Sequence, residues 1–206
     1  MSLNKALGIL LLGVATSSFT APNQEEVRAL LYHNNQLWTS CPSGLYCEEE
    51  GDRKRVDLTM EDDIVTALTR SDAGVIYAGT FDGKLIIIDP TGHSQTKALP
   101  QVSKYTSYYV VDVVLKNETI WMGTLEGVVF KYAIASGTFD HFDLKTYNRK
   151  AFLNILQLEV DAQNNIWVGS QGRIYFLTTL FSPKNAENYE FLGSTTYSQT
   201  TAKFIE

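Results

Sequence analysis

Short apolar runs alternate with polar turns along this chain, and the alternation comes round four times. The opening run of each cycle covers residues 27–31, 64–68, 110–115 and 155–160. A polar segment follows each: His33-Asn34-Asn35, Ser71-Asp72-Ala73-Gly74, Lys116-Asn117-Glu118 and Asp161-Ala162-Gln163-Asn164-Asn165. Asn, Asp, Ser and Gly tolerate positive φ or bond to their own backbone, so these segments predict hairpin turns. A second run centres on an aromatic residue, and a third covers residues 85–88, 128–132 and 174–177. Weaker fourth runs lie at 96–99, 139–142 and 189–192. Run lengths of this size, bounded by turn residues, predict β-strands paired antiparallel.

The second run carries the most regular motif. Ile120-Trp-Met-Gly-Thr-Leu-Glu-Gly-Val-Val-Phe130 reappears as Tyr77-Ala-Gly-Thr-Phe-Asp-Gly-Lys-Leu-Ile and as Trp167-Val-Gly-Ser-Gln-Gly-Arg-Ile-Tyr, with a degenerate copy at Trp38-Thr-Ser-Cys-Pro-Ser-Gly-Leu-Tyr. The anchors Trp38, Tyr77, Trp121 and Trp167 are spaced by 39, 44 and 46 residues. A unit of that size cannot bury its own faces and must stack on its neighbours. The expected fold is therefore all-β, a β-propeller of about four blades, each with three or four antiparallel strands, in a small or incomplete ring. Gly79, Gly123 and Gly169 are expected where the aromatic strand lies close against the next blade. The later Gly83, Gly127 and Gly172 are expected to take positive φ. The first unit has Ser40-Cys41 in place of Gly-Thr, as a terminal repeat often departs from the rest.

These units resemble the two-component regulator propeller repeat, whose blades carry an Asp/Asn/Gly turn, an aromatic residue, Gly-Thr and a later Gly. The segment Asn164-Asn165-Ile166-Trp167-Val168-Gly169-Ser170 carries most of the resemblance, followed by residues 119–124. The resemblance spans roughly residues 27–192 and implies kinship with propellers that form the extracytoplasmic sensing part of membrane-bound histidine kinases, usually about seven blades to a ring. With about four units here, three arrangements compete: a compact four-bladed ring, an open arc, or a fragment of a longer ancestor. We expect an incomplete propeller, whose exposed blade faces could be covered by a homodimer that completes the ring.

Composition narrows the function classes. The 206 residues are 44% hydrophobic and 19% charged, an ordinary globular balance. The formal charge of −6 argues against a nucleic-acid surface. The one basic cluster, Arg53-Lys54-Arg55, sits beside Glu48-Glu49-Glu50 and Asp52 and reads as a solvated loop. Residues 1–21 read as a signal peptide: Lys5, an apolar run over 6–15, then small residues. A strand over residues 7–14 is the rival reading. The run is too short to span a bilayer as a helix, and no other stretch is a stable membrane span. Residues 22–193 then form the propeller, 194–206 a polar tail, and the product is expected to be exported, periplasmic or extracellular. Cys41 and Cys47 flank a predicted turn and are a candidate disulfide, plausible in an oxidising compartment if their geometry allows.

Candidate chemistry is sparse. One polar residue is embedded in the opening run of each unit: Arg28, Thr66, Asp112 and Gln157. In a propeller that column can face the central channel, and it is the candidate ligand site. Strand alternation alone also puts a polar residue towards solvent. His33, His93 and His141 occur singly, and no metal-ligand spacing, cofactor motif, nucleophile elbow or phosphate loop is visible. Asn117-Glu118-Thr119 is a glycosylation sequon that the turn alone would explain. The sequence therefore points to a binding or sensing module for a ligand or protein partner. The alternative is a propeller-type lyase or hydrolase acting on a glycan or cyclic ester.

Overall fold

The computed structural model describes residues 26–58, 63–102, 108–144, 154–170, 173–179 and 189–196. They form four antiparallel four-stranded sheets, each built from consecutive strands. Blade one comprises β1 (Ala29–His33), β2 (Gln36–Cys41), β3 (Gly44–Glu49) and β4 (Asp52–Arg55). Blade two comprises β5 (Val65–Arg70), β6 (Ile76–Thr80), β7 (Lys84–Ile88) and β8 (Ser94–Ala98). Blade three comprises β9 (Val110–Lys116), β10 (Thr119–Thr124), β11 (Val128–Ala133) and β12 (Thr138–Asp143). Blade four comprises β13 (Ile155–Val160), β14 (Ile166–Ser170), β15 (Arg173–Thr179) and β16 (Tyr189–Thr196). The expected grammar is therefore present in every unit. Its first hairpins turn on left-handed residues, Asn34 and Asn35 at φ 47° and 61°, and Asn117 and Glu118 at 46° and 56°. Two consecutive positive φ values match the strand twist of a two-residue hairpin.

The first strand of each blade is the innermost. β1 packs on β5, β5 on β9 and β9 on β13, while no comparable packing joins β13 back to β1. The described residues thus form an arc of four blades rather than a closed ring. Three apolar joints hold the arc. Leu45, Val65, Ile76 and Ile86 fill the first, Tyr77, Val110, Val113 and Phe130 the second, and Trp121, Ile155, Leu158 and Val168 the third.

The motif glycines set how closely these blades approach. A Cβ at Gly79 would lie 2.8 Å from Val110 Cβ and 2.9 Å from Val113 Cγ2. One at Gly123 would lie 2.8 Å from Ile155 Cγ2 and 3.0 Å from Leu158 Cγ. In both joints a pair of aliphatic side chains, three residues apart on the next innermost strand, presses into the space that glycine leaves. Blade one uses Ser40 at the same place, fully buried, its hydroxyl donating to the Val65 carbonyl at 2.6 Å.

Several expectations are corrected. Arg53-Lys54-Arg55 is not a loop but lies in the outer strand β4; Lys54 pairs with Asp52 at 2.8 Å and the Arg53 guanidinium lies 4.1 Å from the Tyr46 ring centroid. β16 runs to Thr196, three residues into the stretch read as tail. Cys41 and Cys47 are free thiols. Cys47 sits opposite Trp38 and Cys41 opposite Gly44, so the two are about 10 Å apart along the ladder and on opposite sheet faces. A disulfide needs Cα atoms within about 7 Å. The leader at residues 1–21, the rival strand at 7–14, Gly172 and residues 197–206 lie outside the described residues.

Candidate functional site

The polar residues of the innermost strands do not form one cluster, because they occupy two different register positions around a bulge that β5, β9 and β13 share. In β5 a bulge leaves Thr66 unpaired between Val65, opposite Thr80, and Ala67, opposite Gly79. β9 pairs Asp112 with Gly123, and β13 pairs Gln157 with Gly169. Asp112 and Gln157 are therefore equivalent to Ala67 and to Ala29, which pairs with Ser40. Thr66 is one place off and corresponds to Val111 and Leu156. One residue of slip exchanges the faces of a strand.

Their partners are mostly the next blade. Thr66 is buried, and its hydroxyl reaches the Val110 carbonyl at 2.5 Å and the Gly79 carbonyl at 3.2 Å. Asp112 accepts the Leu158 backbone N–H at 2.7 Å and that of Val113 at 2.9 Å. Burial pushes the Asp112 carboxyl above its usual range, against the opposing pull of those two donors. The Arg28 backbone N–H donates to the Ser40 carbonyl at 2.9 Å, and its half-buried side chain keeps Nε without a hydrogen-bond partner among the described residues. Gln157 is exposed on blade four. Thr66 and Asp112 thus act as ties between blades.

A second group of residues gathers where the second and third strands of the blades turn. In blade two, Thr80 donates its hydroxyl to Asp82 Oδ1 at 2.7 Å and accepts the Lys84 backbone N–H at 2.9 Å. Lys84 Nζ bridges Asp82 Oδ2 at 2.7 Å and Asp63 Oδ1 at 2.5 Å. The Asp63 side chain is only 2% exposed, and its second oxygen has no hydrogen-bond partner among the described residues. Burial opposes ionisation of Asp82, but the Lys84 and Thr80 bonds hold its carboxyl below the usual range. Lys84 is held above its usual range by Asp63 first and Asp82 second.

Blade three repeats the frame with different side chains. Thr124 Oγ1 accepts the Val128 N–H at 3.2 Å, and the Glu126 carboxylate accepts the Tyr109 N–H at 3.1 and 3.3 Å. Tyr108 stands where blade two has Asp63, buried and edge-on to Phe130 with ring centroids 5.0 Å apart. The residue after each Gly-Thr faces outward: Phe81 is 49% exposed and Leu125 36%. The Phe81 ring meets Tyr109 of the next blade edge-on at 5.1 Å. Phe81, Tyr109 and Leu125 therefore make an apolar ledge across the second joint, with the Asp82 and Glu126 carboxylates in the same two turns.

Sequence reasoning missed this ledge. The available signal was a large apolar residue, Phe81 or Leu125, at the motif position between Thr and Asp or Glu, where the turn itself needs no apolar side chain.

The rest of the described surface offers less. A shallow pocket of about 110 Å³, lined by Gly44, Leu45, Arg55, Val56, Asp57 and Leu58, is smaller than the usual small-molecule site. Among the described residues no three His, Cys, Asp or Glu side chains are placed to hold a metal ion, and no helix is long and apolar enough to cross a membrane.

Neither a family model nor a curated protein sequence matches the chain. Solved structures do. The extracellular domain of BT4673 from B. thetaiotaomicron, assigned to a one-component system in one structure and to a hybrid two-component system in another, aligns at 21% and 22% identity with TM-scores of 0.61 and 0.63. Those alignments cover 79% and 77% of this chain but 22% and 21% of the other, so the chain spans about a fifth of that domain's length. The computationally designed Ika8 protein aligns at 17% identity and TM-score 0.60, over 85% of this chain and 50% of its own. What these proteins share with the chain is the fold. The chain is a β-propeller arc.

Proposed function

We propose that the chain is an exported recognition module that binds a ligand or protein partner on the ledge formed by Phe81, Tyr109 and Leu125. One observation carries the reading: Phe81 stays 49% exposed in a turn whose own geometry needs no aromatic side chain. Exposed aromatic and aliphatic groups beside carboxylates suit a ligand with an apolar face and hydroxyl or cationic groups at its rim. Export and a sensing role draw support from the extracellular BT4673 domains of the same fold. Kinship with the two-component regulator propeller repeat is supported by residues 164–170, where the turn, aromatic and Gly-Ser occur in order. The enzyme alternative finds its nearest material in Asp63 and Asp82, but Lys84 engages both carboxylates, which favours a structural part for them.

A thermal-shift screen of sugars, amino acids and short peptides against wild type and Phe81→Ala tests the reading. A ligand that raises the melting temperature of wild type and not of Phe81→Ala is expected. Equal stabilisation of both proteins by every hit would refute it.

A further inference from the structure

The two ends of the arc are the two halves of one blade joint. In each joint with a motif glycine, the earlier blade offers the glycine and the later one fills it with two aliphatic side chains three residues apart. Val110 and Val113 fill Gly79, and Ile155 and Leu158 fill Gly123. Val65 and Leu68 stand at the same places where blade two meets Ser40. Register carries the comparison to both ends. Gly169 pairs with Gln157 as Gly123 pairs with Asp112, yet a Cβ at Gly169 would meet nothing nearer than the Gln157 carbonyl oxygen at 3.7 Å. Leu156, equivalent to the buried Thr66, is 59% exposed. At the other end Ala29 pairs with Ser40, so Val27 and Leu30 take the places of Val110 and Val113. They are 54% and 64% exposed, and Tyr32 beyond them is 64% exposed.

We infer that a second copy of this chain completes the joint, the Val27–Leu30 face of one copy seating on the Gly169 face of the other. The contact is head to tail, and two copies that close on each other satisfy both ends with the same interface used twice. The occupant is identified by the three joints already inside the chain: the Gly169 face takes an aliphatic pair at this spacing, and Val27 and Leu30 present one. The designed Ika8 protein, of which the arc matches half, shows that a chain of about twice this extent accommodates the same blade path.

Light scattering after size exclusion tests the proposal, with wild type, Gly169→Val and Leu30→Glu measured separately and the two variants mixed. Gly169 is not a positive-φ residue and has room for a side chain within its own subunit, so Gly169→Val is expected to keep the wild-type circular dichroism. Wild type is expected at the mass of two subunits. Each variant is expected at one subunit, its association weakened about tenfold or more. An equimolar mixture should pair more tightly than either variant alone, because one of the two joints in a mixed pair carries neither substitution. Wild type at the mass of one subunit, or in open-ended larger assemblies, would overturn the proposal whatever the variants do. So would a Gly169→Val protein that pairs like wild type.

Discussion

Asp112 Oδ2 accepts the backbone N–H of Leu158 at 2.7 Å, so a side chain of blade three caps the backbone of blade four. The same carboxylate bonds its neighbour Val113, which fills Gly79 on the other side of the blade. One residue thus couples two joints. Replacing Asp112 by Ala leaves the Leu158 N–H without that acceptor, a loss of about 1–3 kcal/mol for a desolvated donor. Urea unfolding of Asp112→Ala should show a lower midpoint with an unchanged slope.

The raised pKa of Asp112 gives this tie a particular pH dependence. A carboxyl that holds its proton more tightly folded than unfolded contributes most stability at low pH. That contribution is lost as pH rises from the ordinary Asp value, about 3.9, through the raised folded one. Asp112→Asn keeps an acceptor without the charge and removes the dependence. The urea midpoint of wild type should therefore fall relative to Asp112→Asn as pH rises through the weakly acidic range. A relative gain by wild type over that range would contradict the burial argument. Asp82 and Asp161, whose carboxyls are lowered, act in the opposite direction but are common to both proteins.

Gly79→Ala and Gly123→Ala should each destabilise the fold by about 1–3 kcal/mol, the usual cost of overpacking. The added methyl would stand 2.8 Å from the Val110 Cβ in one case and 2.8 Å from the Ile155 Cγ2 in the other. Combining Gly79→Ala with Val110→Ala should recover part of the loss at that joint. Thermal unfolding of the single and double variants measures it.

Lys84→Met should be more damaging than a surface substitution. Its ammonium pairs with the Asp63 carboxylate, which is 2% exposed, and removing one member of a buried pair costs about 3–5 kcal/mol. Pairing Lys84→Met with Asp63→Asn removes the stranded charge and should restore much of the stability. A double-mutant cycle by chemical denaturation would read the coupling directly.

The fold was legible because its signals are local and repeated. Positive-φ asparagines, apolar runs and the Gly-Thr motif each recur, and spacing alone implies stacked four-stranded units. Gly79 and Gly123 behave as expected, each crowded by the next blade. What misleads the reading is a one-residue offset: β5, β9 and β13 share a bulge, at Thr66, Val111 and Leu156, and the polar residue lies in the bulge in β5 but one place after it in β9 and β13, so Ala67 is the true counterpart of Asp112. The disulfide expectation failed for a related reason, since flanking one turn says nothing about which sheet faces Cys41 and Cys47 occupy. β4 escaped notice because Asp52, Arg53, Lys54 and Arg55 are all exposed and carry no apolar alternation. The Phe81 ledge depends on a contact between blades, Phe81 with Tyr109, that only the assembled arc reveals.

The claim that recognition sits on this ledge, and not along the innermost strands, is tested most directly by a crystal structure of the chain with the tightest ligand from the screen. The account predicts ligand density against Phe81 and Tyr109, with the Asp112 to Leu158 bond intact. Density beside Arg28, Asp112 and Gln157, with the ledge empty, would contradict it.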